Sequence, residues 1–413
     1  MGRLRVLVVA FGLDGDDVGE TYSAFQWVQA LSRHADVTVL GTARRTRRPL
    51  ADQLPGVEVV TWPEPAVLYT TRLERLNAMA KPWMLVFNRQ VARWIAAALA
   101  QGRRFDIAHQ IVPQAMRYAT PLRRFDIPYV LGPLGGGLDT PPGFSAEVDQ
   151  GSGLMRLRGL DGWRLRHDRA LRDGLNRAAL ILGVAPYIQD RLRVAGLGHL
   201  PFRAVLERGQ GALPDLPVRQ ARPGALNLLH VGRAIRTKGL RDTVRAMAHL
   251  RDLPDVRLVS AGDGPDLAAC KAEAAQLGVA DRITFLGRIP RPEVDRAYAA
   301  ADVFCFPSFR EPMGGVFFEA MEWGLPVITA ARGGPDFIVD DQSGLRLPVE
   351  TPEQFARAIA EAARRLADDP GLRLRLGQGA RARVQGFGTW DDKARDMIET
   401  YRGLIATRRG APQ

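Results

Sequence analysis

Short apolar runs and stretches with helical spacing alternate along the first half of the chain. An apolar run over residues 3–10, helical spacing over 20–34 and a second apolar run over 36–40 predict a strand, a helix and a strand. Residues 41–82 show no clear periodicity. The same patterns predict further strands over 105–109, 127–132 and 180–184, and helices over 82–101 and 154–177.

The alternation becomes regular after residue 226, beyond a loose stretch over 197–224 that is rich in Gly, Pro and Arg. Strands that alternate with helices predict parallel sheets covered on both faces, and the loose stretch predicts a boundary between two such halves. The second half has predicted strands over 226–231, 256–261, 283–286, 303–306 and 327–330, and helices over 240–250, 267–277, 294–301 and 316–323, with three more after residue 352.

Length and composition agree with two well-packed domains. A chain of 413 residues exceeds what one hydrophobic core usually organises, and 46% of the residues are hydrophobic. The two cysteines, Cys270 and Cys305, give neither a disulfide framework nor a metal-ligand spacing. No apolar run has the length of a membrane span, so we expect a cytoplasmic protein.

The charge is strongly basic, at a formal +12, and it comes from arginine because only four lysines occur. Such an excess is compatible with nucleic acid, an anionic membrane surface or an anionic substrate as the partner. Aromatic residues make up 7% of the chain and are not interleaved with the arginines, which weakens the case for stacking on single strands.

One segment, residues 306–327, combines two acids with a helix start. Glu311 lies in a loop broken by Pro and Gly, and Glu319 lies on an apolar helical segment, with seven residues between the two acids. Free backbone amides at a helix start favour an anionic ligand, and carboxylates can accept hydrogen bonds from ligand hydroxyls. Two acids at this spacing are also common as solvated helix charges, so the surrounding residues decide between the two interpretations.

The surrounding residues resemble the donor-site signature of the retaining family-four glycosyltransferases, or glycosyltransferase group 1, of the GT-B fold. The matching pieces, in order, are Pro307-Ser308, Glu311, Gly314, Glu319-Ala320-Met321 and Gly324-Leu325-Pro326-Val327. Two positions depart from the family pattern without touching the acids: Met313 stands where Phe is usual, and Glu322-Trp323 stand where small residues are common.

The resemblance implies an α/β fold of GT-B architecture. Two Rossmann-like, doubly wound parallel-sheet domains would face a cleft, and the C-terminal helix would cross back to the N-terminal domain. On this basis we expect an acceptor-binding domain over residues 1–200, a nucleotide-sugar-binding domain over 201–386 and the returning helix over 387–413.

The donor residues implied by the resemblance start with Arg233 and Lys238, which would hold the nucleotide diphosphate. Lys238 also stands out by itself, as a rare Lys beside a Gly, although chance placement stays open; Arg236 is the weaker candidate. Glu311 would bind the donor sugar and Glu319 the ribose. The full donor set is Gly232, Arg233, Lys238, Gly262, Gly287, Glu311, Pro312, Met313, Gly314, Gly315 and Glu319.

The acceptor side is expected on the first half. A glycine cluster with Gly135 and Gly136 follows a predicted strand, where backbone can approach a substrate closely. His109 matches a family segment whose His reaches the transferred sugar, which would place it with Arg233, Lys238 and Glu311 among the catalytic residues; a structural His stays open. Gly19 and Glu20 complete the expected acceptor set.

An acidic loop over residues 14–17 raises the question of a metal. As a calcium loop it lacks a ligand at Val18 and the closing Glu at Phe25, so a solvated loop is the better interpretation. The glycines around it have the wrong spacing for a dinucleotide fingerprint. The donor half has no Asp-x-Asp at a strand end, so we expect no metal and no cofactor.

The predicted activity is the retaining transfer of a hexose-like sugar from a nucleoside diphosphate, UDP favoured over GDP, to an acceptor hydroxyl. The leaving phosphate would take the acceptor proton, so no dedicated general base is expected. The acceptor is either a small soluble molecule of specialised metabolism or a cell-envelope glycan or lipid. We expect a monomer or homodimer without nucleic acid and with at most weak peripheral membrane association. A Rossmann dehydrogenase and a basic membrane-surface or nucleic-acid binder remain alternatives.

Overall fold

The computed structural model describes residues 2–43, 48–69, 77, 81–148, 159–217 and 222–410. The chain forms two compact units. The first lies within Met1–Gly137, Arg156–Gly209 and Gly388–Gln413, and the second within Leu138–Met155 and Gln210–Phe387. The segment after Gly137 thus belongs to the second unit, which no local sequence pattern indicated.

The first unit is built on a seven-stranded parallel sheet, as expected for a Rossmann-like domain. Its strand order is β3-β2-β1-β4-β5-β6-β7. Its strands are β1 (Leu4–Ala10), β2 (Ala35–Ala43), β3 (Glu58–Pro63), β4 (Ile107–Val112), β5 (Tyr129–Leu134), β6 (Leu180–Gly183) and β7 (Phe202–Ala204). Its helices are Glu20–Ser32, Leu50–Gln53, Met84–Ala100, Gly159–His167, Arg169–Asn176, Tyr187–Val194 and Trp390–Gly410.

The C-terminal helix, Trp390–Gly410, packs on the first unit, which confirms this part of the expected fold. The Trp390 ring lies edge-on to Trp27 of helix Glu20–Ser32, with centroids 5.6 Å apart. Tyr401 is buried in the core formed by β1 and its neighbours. Apolar side chains on one face of this helix therefore close one side of the first sheet.

The second unit is built on a six-stranded parallel sheet in the order β10-β9-β8-β11-β12-β13. Its strands are β8 (Leu226–Val231), β9 (Val256–Ala261), β10 (Ile283–Gly287), β11 (Val303–Cys305), β12 (Val327–Ala330) and β13 (Gly344–Leu347). Its helices are Ser145–Val148, Leu240–Ala248, Leu267–Gln276, Arg291–Ala300, Gly315–Glu322, Gly333–Ile338, Pro352–Asp368 and Pro370–Gly386.

Several elements were not predicted from the sequence pattern. Strand β3 lies in the stretch without periodicity, and β7 lies in the stretch interpreted as a boundary. Both are edge strands without a fully buried residue, so neither carries a long apolar run. The helix expected over residues 154–177 is two helices in its described part, because Asp168 caps the second one by accepting from the amides of Ala170 and Leu171 at 3.1 Å.

Apolar residues of the helix predicted over 154–177 form a partial stripe that we expect in the core of the first domain: Leu154, Leu157, Leu160, Trp163 and Leu171. The described part of this stripe is only partly buried. Leu171 lies in the core of the first unit, but Trp163 is 58% exposed, which corrects the expectation that the whole stripe is buried. The earlier positions of the stripe and Arg156 and Arg158 lie outside the residues or side chains that the structure describes. In the described part of the chain, no helix is long and apolar enough to cross a membrane.

Candidate functional sites on the two units

Each sheet has one point where the strand order reverses. In the second unit it lies between β8 and β11, and in the first unit between β1 and β4. Loops that leave the carboxyl ends of two such strands diverge and form a crevice, where doubly wound sheets usually bind ligands. The segments that leave β8 and β11 are residues 232–238 and 306–314, and they carry seven of the predicted donor residues: Gly232, Arg233, Lys238, Glu311, Pro312, Met313 and Gly314.

Three predicted donor glycines lie on neighbouring turns at this edge of the second sheet. The Gly232 amide donates to Ala261 O at 3.0 Å, and the Gly262 amide donates to Gly287 O at 2.7 Å. A Cβ on Gly262 would lie 1.8 Å from Gly232 O, and φ at Gly262 is +145°. Position 262 requires glycine because its turn contacts the turn at Gly232. The two turns leave half-buried backbone beside the strand ends.

A pocket of about 610 Å³ opens at these turns. Its size falls in the range of small-molecule sites. Gly232, Arg233 and Gly262 of the predicted donor set line it, and Arg233 is exposed. Asp263 and Arg288, which directly follows β10, also line the pocket and were not among the predicted donor residues. The two arginines give the pocket a charge that suits a phosphate-bearing ligand.

Lys238 is held by contacts on both sides of the strand crossover. Its carbonyl accepts a hydrogen bond from His230 Nε2 at 3.2 Å. The next residue, Gly239, has φ +79°, and a Cβ there would lie 2.2 Å from Pro307 O. Burial lowers the pKa of His230 to about 4, so this ring is a neutral donor. Lys238 is thereby fixed next to the predicted motif loop, where its ammonium group pairs with Glu311.

The motif loop is positioned by two further contacts. Ser308 Oγ donates to Thr237 O at 2.9 Å, and the Gly334 amide donates to Glu311 O at 2.9 Å. The Gly334 amide thus holds the motif loop at Glu311. Pro312 and Met313 are half-buried beside it.

Glu319 lies on helix Gly315–Glu322, whose N-cap is Gly314 with φ +93°. Its Oε2 accepts from Arg291 Nη1 at 2.7 Å and lies 3.4 Å from the Tyr298 hydroxyl. The side chain is only 16% exposed, so its orientation is fixed by these contacts.

Arg236 belongs to the core rather than to the pocket, in agreement with its weaker rank as a ligand. Its guanidinium donates to Asp242 at 2.6 and 2.8 Å and to Glu147 at 2.5 Å. The group also lies 5.2 and 5.3 Å from the ring centroids of Phe144 and Phe309. These contacts use the guanidinium donors inside the unit, so Arg236 is a structural cation.

In the first unit, Glu20 and Gly135 lie on either side of Gln114, the residue that follows β4 and Pro113. The Gln114 amide donates to Glu20 Oε1 at 2.5 Å, and the Gly135 amide donates to Gln114 O at 2.8 Å. The Gly136 carbonyl accepts from the Tyr187 hydroxyl at 3.1 Å. Gly19 precedes helix Glu20–Ser32 with φ +71°. Four predicted acceptor residues therefore lie on loops at the carboxyl edge of the first sheet.

His109 does not lie with them, which corrects its expected contact with the sugar. It is fully buried, its Nε2 lies 2.7 Å from Gly132 O, and its Nδ1 lies 2.5 Å from the Tyr401 hydroxyl. Burial lowers its pKa to about 4, so the ring is neutral, with Nε2 donating and Nδ1 accepting. Both nitrogens are used inside the core, and the structural alternative left open for this residue fits the contacts.

The acidic loop is held by protein donors. Asp14 Oδ1 accepts from the Asp16 amide and from Gln53 Nε2, both at 3.0 Å. Asp16 pairs with Arg48 at 2.7 Å. Among the described residues, no group of three or more His, Cys, Asp or Glu side chains is arranged to hold a metal ion.

The second unit matches a known family by sequence. Residues 218–383 match the family described as Glycosyl transferases group 1. A D-inositol 3-phosphate glycosyltransferase of Kribbella flavida is 36% identical over 197 residues, which cover 45% of this chain and 45% of that protein. Its counterpart in Streptomyces bingchenggensis is 38% identical over 193 residues, covering 43% of this chain and 41% of that protein. The chain thus matches less than half the length of these relatives.

Solved structures match the chain along nearly its whole length. Sucrose-phosphate synthase from Thermosynechococcus elongatus aligns with a TM-score of 0.67 at 22% identity, covering 98% of this chain and all (100%) of that one. Anabaena HepE in complex with UDP aligns with a TM-score of 0.65 at 16% identity, covering 97% and 100%. The chain therefore has the GT-B fold, as the resemblance implied, and the family match is confined to residues 218–383.

Proposed function

We propose that this protein is a retaining glycosyltransferase that moves a hexose-like sugar from a nucleoside diphosphate, UDP favoured over GDP, to an acceptor hydroxyl without a metal ion. The observation that carries the proposal is the pocket at the carboxyl ends of β8, β9 and β10, with Arg233 at its edge, inside the domain that matches the family. The relatives named as D-inositol 3-phosphate glycosyltransferases and the structural neighbour bound to UDP support the same substrate class.

In this proposal the second unit binds the donor and stabilises the leaving group. The bond between the sugar C1 and the diphosphate oxygen breaks, and negative charge grows on the diphosphate. Arg233 and Lys238 are cations that can stabilise this charge as it develops, which lowers the barrier. Glu311 would accept hydrogen bonds from the donor sugar hydroxyls, and Glu319 from the ribose.

The acceptor would bind on the first unit. Its hydroxyl oxygen forms the new bond to C1 on the face from which the diphosphate departs, so the configuration at C1 is retained. Its proton passes to the leaving phosphate oxygen, which balances the step without a base from the protein. The acceptor is either a small soluble molecule of specialised metabolism or a cell-envelope glycan or lipid, and the enzyme would be a cytoplasmic monomer or homodimer.

A thermal-shift screen tests the donor class. Purified protein is heated with UDP, GDP, UDP-glucose, GDP-mannose and NAD, each at a series of concentrations. We expect a saturable rise in Tm with one nucleotide diphosphate and its sugar, because a ligand that binds only the folded state stabilises it. A rise with NAD alone would favour the dehydrogenase alternative. Salt-sensitive binding to heparin or anionic vesicles without any nucleotide effect would favour the basic binder.

A further inference from the structure

Three side chains from distant parts of the chain meet at the strand crossover of the first unit. Gln114 follows β4, Glu20 begins the helix after β1, and Glu207 follows β7. Gln114 is held at three points: its amide by Glu20 Oε1 at 2.5 Å, its carbonyl by the Gly135 amide at 2.8 Å, and its side-chain Nε2 by Glu207 Oε2. No local sequence pattern relates Gln114 to Glu207, which are 93 residues apart.

Glu207 is an unusual acid for this position. Its side chain lies in the interior, with 3% of the residue exposed, and Oε1 is buried without a hydrogen-bond partner among the described residues. Burial and the nearby charge of Glu20 raise the pKa of Glu207 well above its usual range, against the opposing hydrogen bond from Gln114. Burial of this kind favours the neutral form of the carboxyl group. A protonated carboxyl group has a hydrogen-bond donor and an acceptor, as a side-chain amide does. It carries no charge that would repel Glu20.

The other end of the Gln114 amide is available to a ligand. The residue is half-buried, and no described residue donates a hydrogen bond to Oε1. A Cβ on Gly135 would lie 3.4 Å from Oε1, so the glycine keeps the approach to this oxygen open. A purely structural glutamine in a core has both ends of its amide paired. Here one end is anchored and the other is an oriented acceptor.

We propose that Gln114 contacts a hydroxyl group of the sugar acceptor and that Glu207 is a positioning residue that fixes its amide. Both Glu20 oxygens have protein partners, because Oε1 accepts from the Gln114 amide at 2.5 Å and Oε2 lies 4.0 Å from Lys81 Nζ. The Gln114 amide oxygen is therefore the acceptor that this loop presents, and the hydroxyl groups of a sugar or cyclitol are donors that fit it. The inference rests on the proposed function.

The test separates acceptor recognition from donor chemistry. UDP-glucose and GDP-glucose are offered as donors, and D-inositol 3-phosphate, myo-inositol and glucose as acceptors. Hydrolysis of the donor without acceptor is measured beside transfer. The variants are Gln114→Met and Gln114→Ala, which remove the amide, and Glu207→Gln and Glu207→Leu, of which only the first preserves hydrogen bonding. Gln101→Met, at an exposed position of the same unit, is the matched control.

We expect Gln114→Met to raise KM for the polyol acceptor about tenfold, the effect of one lost hydrogen bond, with KM for the donor and the hydrolysis rate unchanged. Glu207→Leu should do the same, whereas Glu207→Gln and the control should behave as the parent. An unchanged acceptor KM in both Gln114 variants would overturn the inference, as would donor hydrolysis without transfer to any polyol. A parent protein that neither binds nor hydrolyses either donor would instead contradict the proposed function, and the inference would fall with it.

Discussion

Lys238 and Glu311 form an ion pair that joins the two sides of the strand crossover in the second unit. Lys238 comes from the turn after β8 and Glu311 from the loop after β11. Both side chains are largely buried, at 13% and 12% exposure, so the pair is weakly screened by solvent. A diphosphate that binds Lys238 has to compete with Glu311 for the ammonium group, and this competition distinguishes the two glutamates of the motif.

Glu311→Gln should bind free UDP about fivefold more tightly, because removal of one charge releases Lys238 for the phosphates. Turnover with the sugar donor should fall, and discrimination among donor sugars should weaken. Glu319→Gln is the matched change and should weaken free-nucleotide binding by about 1.5 to 3 kcal/mol, through a lost charge-assisted hydrogen bond. Calorimetric titration with UDP measures both. The same direction of change in the two variants would contradict these roles.

Lys238→Ala and Arg233→Ala should each lower kcat by about a hundredfold, because both cations act on charge that grows on the leaving diphosphate. The double variant should lose less than the product of the two single effects, since one diphosphate couples the two residues. Steady-state kinetics with the identified donor measure this. Near-normal turnover in either single variant would remove that residue from the catalytic set.

Arg236 should behave in the opposite way to Arg233. Arg236→Ala leaves Asp242 buried and without its guanidinium partner, so we expect a loss of about 3 to 5 kcal/mol in the free energy of unfolding. Arg233→Ala should leave unfolding unchanged, because its side chain is exposed. Denaturant unfolding of the two variants gives the comparison. Equal stability of the two variants would show that the contacts of Arg236 with Asp242 and Glu147 do not support the fold.

Activity should survive excess EDTA, because side-chain cations are proposed to stabilise the leaving group in place of a metal ion. The measurement is donor turnover before and after exhaustive chelation, with added Mg²⁺ or Mn²⁺ as the control. Complete loss that either ion restores would show that an acidic site, such as the loop over residues 14–17, had been misinterpreted.

The free energy of unfolding should fall as the pH drops from about 6.5 to about 4. In this window an unfolded His109 takes up a proton, while the buried, neutral His109 does not, because its pKa is lowered to about 4. The unfolded state therefore binds more protons, and stability is lost on acidification. His109→Gln should reduce this dependence without abolishing it, because the buried His230 has the same lowered pKa of about 4, and the exposed-site control His199→Gln should leave the dependence as it is. Equal pH slopes in all three proteins would contradict the neutral buried ring.

Much of the second unit follows from the sequence alone. Strands β8, β9 and β12 have the predicted bounds, because each is a short apolar run between a helix and a turn and is buried in the middle part of a parallel sheet. Two of the proposed donor residues that line the pocket, Gly232 and Arg233, lie in one local segment directly after β8. When the residues of a site come from one turn after one strand, they are neighbours in the sequence, and a local pattern is enough to recognise them.

In the first unit, an edge strand and the environments of two side chains could be assigned only from the tertiary structure. Strand β7 has three half-buried residues and is defined by pairing with β6, not by an apolar pattern of its own. His109 and Gln114 lie five positions apart, yet one side chain is fixed in the core by Tyr401 and the other at the sheet edge by Glu207. Side-chain environment depends on partners that are 292 and 93 residues away. Only packing brings such partners together, so local sequence could not show which residue is structural and which is available to a ligand.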